Sequence, residues 1–248
     1  MYHQFKKPAD IDITKEPMEV GPTTHYMMGG IRVDADTQMS KVPGLFAAGE
    51  CAAGLHGANR LGGNSLSDLV VFGKRAGEYA ANFAKENKGE AIDEKQITDS
   101  ATHALSPFGR EKGENPFDVQ FALQEMMQQL VGIVRNEEEM LRAVEHLKLM
   151  HKRAGNVRVV GNREYNTGWH TALDLDNLLT VSEAVTQAAL DRKESRGAHF
   201  REDHPNKDEK VVKYNSIIFK GPDGQMQVRR ESLREIRSDL TQIIEEMK

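Results

Sequence analysis

The chain has 248 residues, 38% apolar and 29% charged, enough to build a sizeable core in one or two domains. Its net charge of −5 is spread along the sequence with no basic block, which argues against nucleic acid as a partner. A single cysteine, Cys51, excludes an intrachain disulfide and a thiolate metal site made by this chain alone, and favours a reducing compartment. No apolar run approaches the roughly 20 residues needed to span a bilayer, so membrane association is expected only through another subunit.

Residues 1–64 are glycine-rich, with short apolar runs such as Gly44-Leu45-Phe46-Ala47-Ala48-Gly49, and read as strands and loops. Over 65–85 the period changes: Leu66, Leu69, Val70, Phe72, Ala76, Tyr79, Ala80 and Phe83 recur mostly three and four apart. That spacing predicts an amphipathic helix capped by Asn64 or Ser65. Residues 87–116 show no period and are expected to form a connection with one short helix. Three helical patterns follow, at 117–134, 136–154 and 173–195, and their short connections imply an antiparallel bundle. Met126, Met127, Met140 and Met150 fall inside these patterns and are expected in the core. Residues 211–219 and 225–230 flank Gly221-Pro222-Asp223-Gly224, a hairpin signal, and a charged helix is expected over 233–247. The fold class is therefore α+β, divided as 1–86, 87–205 and 206–248.

The densest chemistry lies between Thr23 and Leu69. Gly62-Gly63-Asn64-Ser65 leads straight into a helix, so free N–H groups and the positive end of the helix dipole face an electron-rich ligand such as a phosphate or a reduced flavin. On spacing alone the same glycines also suit a plain tight turn. Glu50, at the end of an apolar run, can accept from a sugar or ribityl hydroxyl or can simply face solvent. Arg60 stands among small residues, and its planar guanidinium can grip a carboxylate with two parallel bonds. Taken singly it also suits an ordinary salt bridge. His25 and His56 are each a donor, a general acid or a loop residue satisfied locally.

Three motifs occur in order: Thr24-His25-Tyr26-Met27-Met28-Gly29-Gly30-Ile31, then Gly44-Leu45-Phe46-Ala47-Ala48-Gly49-Glu50-Cys51, then His56-Gly57-Ala58-Asn59-Arg60-Leu61-Gly62-Gly63-Asn64-Ser65-Leu66. Together with Trp169-His170-Thr171-Ala172-Leu173-Asp174-Leu175-Asp176-Asn177-Leu178-Leu179 and Glu194-Ser195-Arg196-Gly197-Ala198-His199-Phe200-Arg201, they resemble the flavoprotein subunits of succinate dehydrogenase and fumarate reductase. The resemblance implies FAD as cofactor, with Glu50 at the ribityl chain and Ser65 and Leu66 against the isoalloxazine. It implies that His25 and Arg60 bind the substrate dicarboxylate, succinate or fumarate. It also implies an iron–sulfur subunit and a membrane anchor subunit as partners, with peripheral placement on the cytoplasmic side of the inner membrane.

The family begins with a glycine fingerprint for dinucleotides, and no G-x-G-x-x-G follows a strand here. Also expected upstream are a histidine that links to FAD in many members, a capping domain, and the arginine that relays a proton. The chain is therefore read as a carboxyl-terminal fragment, inactive alone and lacking the adenine and pyrophosphate half of the cofactor site. The segment between Glu50 and Arg60 is about one residue shorter than in some relatives, which bears on the local loop path. The run around Arg196 is expected to dock the bundle against the flavin domain or a partner, and Trp169-His170 to pack the third helix. L-aspartate oxidase, sharing the histidine-tyrosine and asparagine-arginine motifs, is the enzymatic alternative. A non-catalytic interaction module is the other, disfavoured by the joint presence of His25, Glu50 and Arg60.

Overall fold

The computed structural model describes residues 2–19, 21, 25–89 and 91–246; Thr23 and Thr24, at the head of the first motif, lie outside them, as do Met1 and Met247. A short helix, α1 (Tyr2–Ala9), opens the described chain where strands and loops were expected. Beyond it, 25–63 forms no ladder, only the isolated bridges Ile31 to Ala52, Val33 to Ser40 and Met39 to Phe46. The reason lies in the glycines. Gly29, Gly30, Gly44 and Gly49 all take positive φ, which bends each apolar run after a few residues and denies it a neighbour along its length. Gly30 cannot be larger, because a Cβ there would stand 2.4 Å from the Cys51 carbonyl oxygen.

The long helix α2 (Asn64–Glu86) appears where the period predicts it, but its cap differs. Gly63, at φ 84°, is the N-cap residue and offers no side chain, while Asn64 and Ser65 fall inside the first turn. The Asn64 N–H bonds the Leu61 carbonyl at 3.2 Å, and this tight turn draws Asn64 into the helix. The connection carries a longer helix than expected, α3 (Glu94–Leu105), whose N-cap Asp93 accepts from the N–H groups of Lys95 and Gln96.

The bundle consists of α4 (Pro116–Leu130), α5 (Glu137–Ala154) and α6 (Thr167–Asp191), each packed against the other two. Asn115, Asn136 and Asn166 cap them with side-chain oxygens. α5 also carries three glutamates in its first turn and His151, Lys152 and Arg153 in its last, matching its dipole at both ends. Val119, Leu123, Met126 and Leu130 of α4 meet Met140, Ala143, Leu147 and Met150 of α5 and Leu175 and Leu179 of α6 in one core. Met127 packs against its edge, so all four methionines serve packing as the spacing implies. α6 begins six residues earlier than its apolar period, because Asn166 caps it ahead of Trp169. Trp169 secures that extra length by donating to the Ala104 carbonyl at 2.7 Å and meeting Phe108 edge-on.

β1 (Val134–Arg135) pairs in parallel with β2 (Phe200–Arg201), tying the end of α4 to the chain after α6. β3 (Tyr214–Lys220) and β4 (Met226–Ser232) form the expected antiparallel hairpin, with Gly224 at φ 79° in its turn. The final helix, α7 (Ser238–Glu246), starts later than its pattern because the Leu233 N–H is held by the Lys213 carbonyl at the end of the hairpin. Among the described residues no helix is long and apolar enough to cross a membrane.

A polar knot after α6 locks bundle, hairpin and loop together. Arg201 and Glu194 are both fully buried. Arg201 donates to both carboxylate oxygens of Asp203, at 2.7 and 2.6 Å, and to the Ala189 carbonyl. His199, its pKa lowered by burial and by Arg135, Arg201 and Arg192, is neutral: Nε2–H donates to the Arg192 carbonyl and Nδ1 accepts from Arg135. The Arg201 guanidinium beside Asp203 holds that carboxyl far below the usual carboxylate range. A depressed folded pKa stabilises above the unfolded value of about 3.9 and loses that contribution as pH falls towards the folded value. Urea midpoints measured from pH 6 down to about 2 are therefore expected to fall below pH ~4, and Asp203→Asn is expected to lower the midpoint at neutral pH and flatten this acid limb.

Candidate functional site

The glycine turns bring three short segments together at the start of α2. The first joins Ile31 to the segment after Glu50: the Ile31 N–H bonds the Cys51 carbonyl at 2.7 Å, and the Ala53 N–H bonds the Ile31 carbonyl at 2.9 Å. In the same join, Glu50 Oε1 accepts the Met27 N–H at 2.8 Å. The other carboxylate oxygen of this exposed side chain remains available as an acceptor. Gly49 lets this segment lie against α2, since a Cβ there would stand 2.6 Å from Leu69.

The third segment, 56–63, carries Arg60. Its guanidinium carbon lies 4.5 Å from the centre of the Tyr26 ring, a cation–π stack, and its Nη1 donates to the Leu61 carbonyl at 3.3 Å. Its Nε is buried and has no partner among the described residues. A guanidinium so held keeps donors uncommitted for an incoming acceptor. Tyr26 meets His56 edge-on at 5.5 Å, and His56 Nε2 lies 3.2 Å from the buried carboxylate of Asp68 on α2. Burial, then the negative charges of Asp68 and Glu50, push the Tyr26 phenol pKa upward, so the ring stays neutral and keeps its electron-rich face towards Arg60.

Of the six residues singled out from sequence, Arg60, Glu50 and His56 are thus each joined to the first motif, Arg60 and His56 through Tyr26 and Glu50 through Met27. His25 is exposed and directly precedes Tyr26; no hydrogen bond or ion pair links it to Arg60 among the described residues. Ser65 and Leu66 lie in the first turn of α2, Ser65 half-buried and Leu66 exposed. That turn has no side-chain cap, and the space over Gly62 and Gly63 is open to at least 4 Å. The uncapped N–H groups fit an electron-rich ring edge, and the free Glu50 oxygen fits a hydroxyl donor, so these residues suit a flavin. Reading the residues one by one missed Tyr26 and Asp68. The available signal was Asp68 itself, an acid within the apolar pattern of α2.

The helical side reaches this loop too. Gly197, at φ 61°, sits so close to Ala58 that a Cβ would stand 2.3 Å from the Ala58 carbonyl oxygen, and the Ala198 N–H bonds that oxygen at 3.0 Å. The run around Arg196 thus docks two residues from Arg60. Glu137, Asp203 and His204 also come within 4.8 Å of one another through potential ligand atoms. Their carboxylates already serve Lys193 and Arg201, which leaves no case for a metal there.

The open glycine turn entering α2, the stacked Arg60 beside it and the Glu50 carboxylate at the join suit the ligand-facing end of a flavin-binding domain, and the helical bundle follows them in the chain. Residues 1–66 match the family described as FAD binding domain, and residues 120–242 match the fumarate reductase flavoprotein C-term family. The chain is 36% identical to the succinate dehydrogenase flavoprotein subunit of Coxiella burnetii over 92% of its own length and 41% of that protein. It superposes on Mycobacterium smegmatis Sdh1 in complex with UQ1 with a TM-score of 0.89 and 45% identity, over 98% of this chain and 42% of that one. On the E. coli quinol fumarate reductase chain FrdA the TM-score is 0.85 with 34% identity, over 95% and 41%. The chain belongs to the flavoprotein-subunit family of succinate dehydrogenase and fumarate reductase, and its cofactor is FAD. It spans about two fifths of the length of these relatives.

Proposed function

We propose that this chain carries the dicarboxylate arm and the flavin-contacting helix of an enzyme that interconverts succinate and fumarate. The observation that carries this reading is Arg60, stacked on Tyr26 beside the open start of α2, its buried Nε without a partner among the described residues. In this reading the Arg60 guanidinium grips one substrate carboxylate through two parallel bonds, and His25 donates to the substrate as well. The N–H groups at Ser65 and Leu66, with the α2 dipole, stabilise negative charge on the ring, and Glu50 accepts from a ribityl hydroxyl. Bound FAD supplies the chemistry by taking a hydride from succinate or giving one to fumarate. Clamping by Arg60 and His25 fixes the substrate carbons for that transfer and draws electron density from fumarate. The accompanying proton passes through a group outside these residues, so the segment alone is inactive in this proposal.

The organisation proposed is a flavin-domain portion over 1–86, a helical domain over 87–205 and a hairpin with helix over 206–248. Electrons would pass to an iron–sulfur subunit and on to quinone, with a membrane anchor subunit holding the assembly peripherally at the cytoplasmic face of the inner membrane. Names of relatives as succinate dehydrogenase and fumarate reductase subunits support that assembly. Anaerobic reduction of the bound flavin by succinate, with L-aspartate as the discriminating substrate, tests the reading.

A further inference from the structure

We propose that the buried His56 and Asp68 pair, acting through Tyr26, positions the Arg60 guanidinium relative to α2. The inference rests on Arg60 being the dicarboxylate arm, and it gives His56, Asp68 and Tyr26 a shared positioning role.

Asp68 is 5% exposed, and among the described residues its one side-chain partner is His56 Nε2, at 3.2 Å. His56 is itself only 10% exposed at its side chain. A buried carboxylate is costly to keep, and an apolar residue of similar size would pack α2 at lower cost, so stability alone does not account for the pair. Its placement does. A carboxylate offers acceptors, so Nε2 carries the proton and the contact fixes the orientation of the imidazole. The imidazole then meets the Tyr26 ring edge-on, at 83° and 5.5 Å, and the face of that ring carries Arg60 at 4.5 Å. Among the described residues Nε has no partner and Nη1 bonds only the Leu61 carbonyl, at 3.3 Å, so the ring is what locates the guanidinium. The other end of the relay is anchored on α2, one turn beyond Ser65 on the same helix face. The carboxylate-gripping arm is thereby referenced to the same helix that meets the flavin. Asp68, His56 and Tyr26 are positioning residues: in this account none of them touches the substrate.

The test uses the FAD-loaded full-length protein and malonate, a dicarboxylate with no carbon–carbon bond to desaturate, its dissociation constant read from the perturbation of flavin absorbance. His56→Gln and Asp68→Asn are each expected to weaken malonate about 10-fold with flavin content unchanged. Combining His56→Gln with Arg60→Lys is expected to give no more loss than Arg60→Lys alone, because the pair acts only through that arm. Dissociation constants within twofold of the parent in both single variants, or losses that add fully in the double variant, would overturn the proposal. If Arg60→Lys itself leaves malonate binding unchanged, it is the dicarboxylate reading that fails. Should either buried-pair variant lose FAD, Tyr26→Leu keeps the pair and removes only the ring; it is expected to show the same weakening, and parent-like binding would equally overturn the proposal.

Discussion

Replacing Arg60 with alanine in the FAD-loaded full-length protein is expected to lower kcat/KM for succinate at least 100-fold while the flavin remains bound. A guanidinium that makes two charge-assisted bonds to a desolvated carboxylate contributes about 3 kcal/mol or more to transition-state binding, which sets that lower limit. Flavin retention follows because the groups proposed to hold FAD in this chain, Glu50 and the first turn of α2, do not depend on the Arg60 side chain. Arg60→Lys is expected to recover little, since an ammonium keeps the charge but loses the planar fork and its stack on Tyr26. Steady-state kinetics with succinate, alongside the ratio of flavin to protein absorbance, decides the matter. Near-normal turnover in Arg60→Ala would remove the residue from the site.

Glu194→Ala is expected to cost about 3 to 5 kcal/mol of stability, because it leaves two arginines facing a buried space without their anion. Glu194 is fully buried. Its carboxylate accepts from Arg192 at 3.0 Å, from Arg196 at 3.0 and 3.2 Å, and from the Asp208 N–H at 2.9 Å. Burial alone would raise its pKa; the Arg196 bond, the Asp208 N–H and the nearby arginine charges outweigh it and hold the group ionised. The loss reaches the site through a short path. Arg196 adjoins Gly197, whose backbone lies against Ala58, and the Ala198 N–H holds the Ala58 carbonyl. Urea unfolding is expected to give a lower midpoint, and weaker dicarboxylate binding is expected to accompany it. An unchanged midpoint would show that the knot does not stabilise the fold.

The helices of the bundle were legible because their cores repeat every three or four residues and asparagines stand at their starts, as at Asn136 before Glu137. The hairpin was legible in its glycine–proline turn. Features that depend on contacts between distant segments were hidden. Asp68 sits in a helical pattern where an acid ordinarily faces water, and its burial depends on His56, twelve residues earlier, folding back over α2. The strands anticipated before Asn64 fail to form because glycines at positive φ interrupt each run, which composition alone does not disclose. The cap of α2 was misassigned for a related reason: Asn64 has the chemistry of a cap, but the Gly63 turn places it one position too late. As for the candidate site, sequence named Arg60 and Glu50, whereas the stack on Tyr26 and the bond to Met27 emerged only in three dimensions.

If Arg60 and the start of α2 belong to a site where a dicarboxylate meets a flavin, succinate must reduce that flavin directly. Anaerobic mixing of the FAD-loaded full-length protein with succinate, followed by flavin absorbance, tests it most directly. Bleaching of the oxidised flavin by succinate, reversal by fumarate, and no bleaching by L-aspartate are expected. A flavin that stays oxidised with succinate but is reduced by L-aspartate would contradict it.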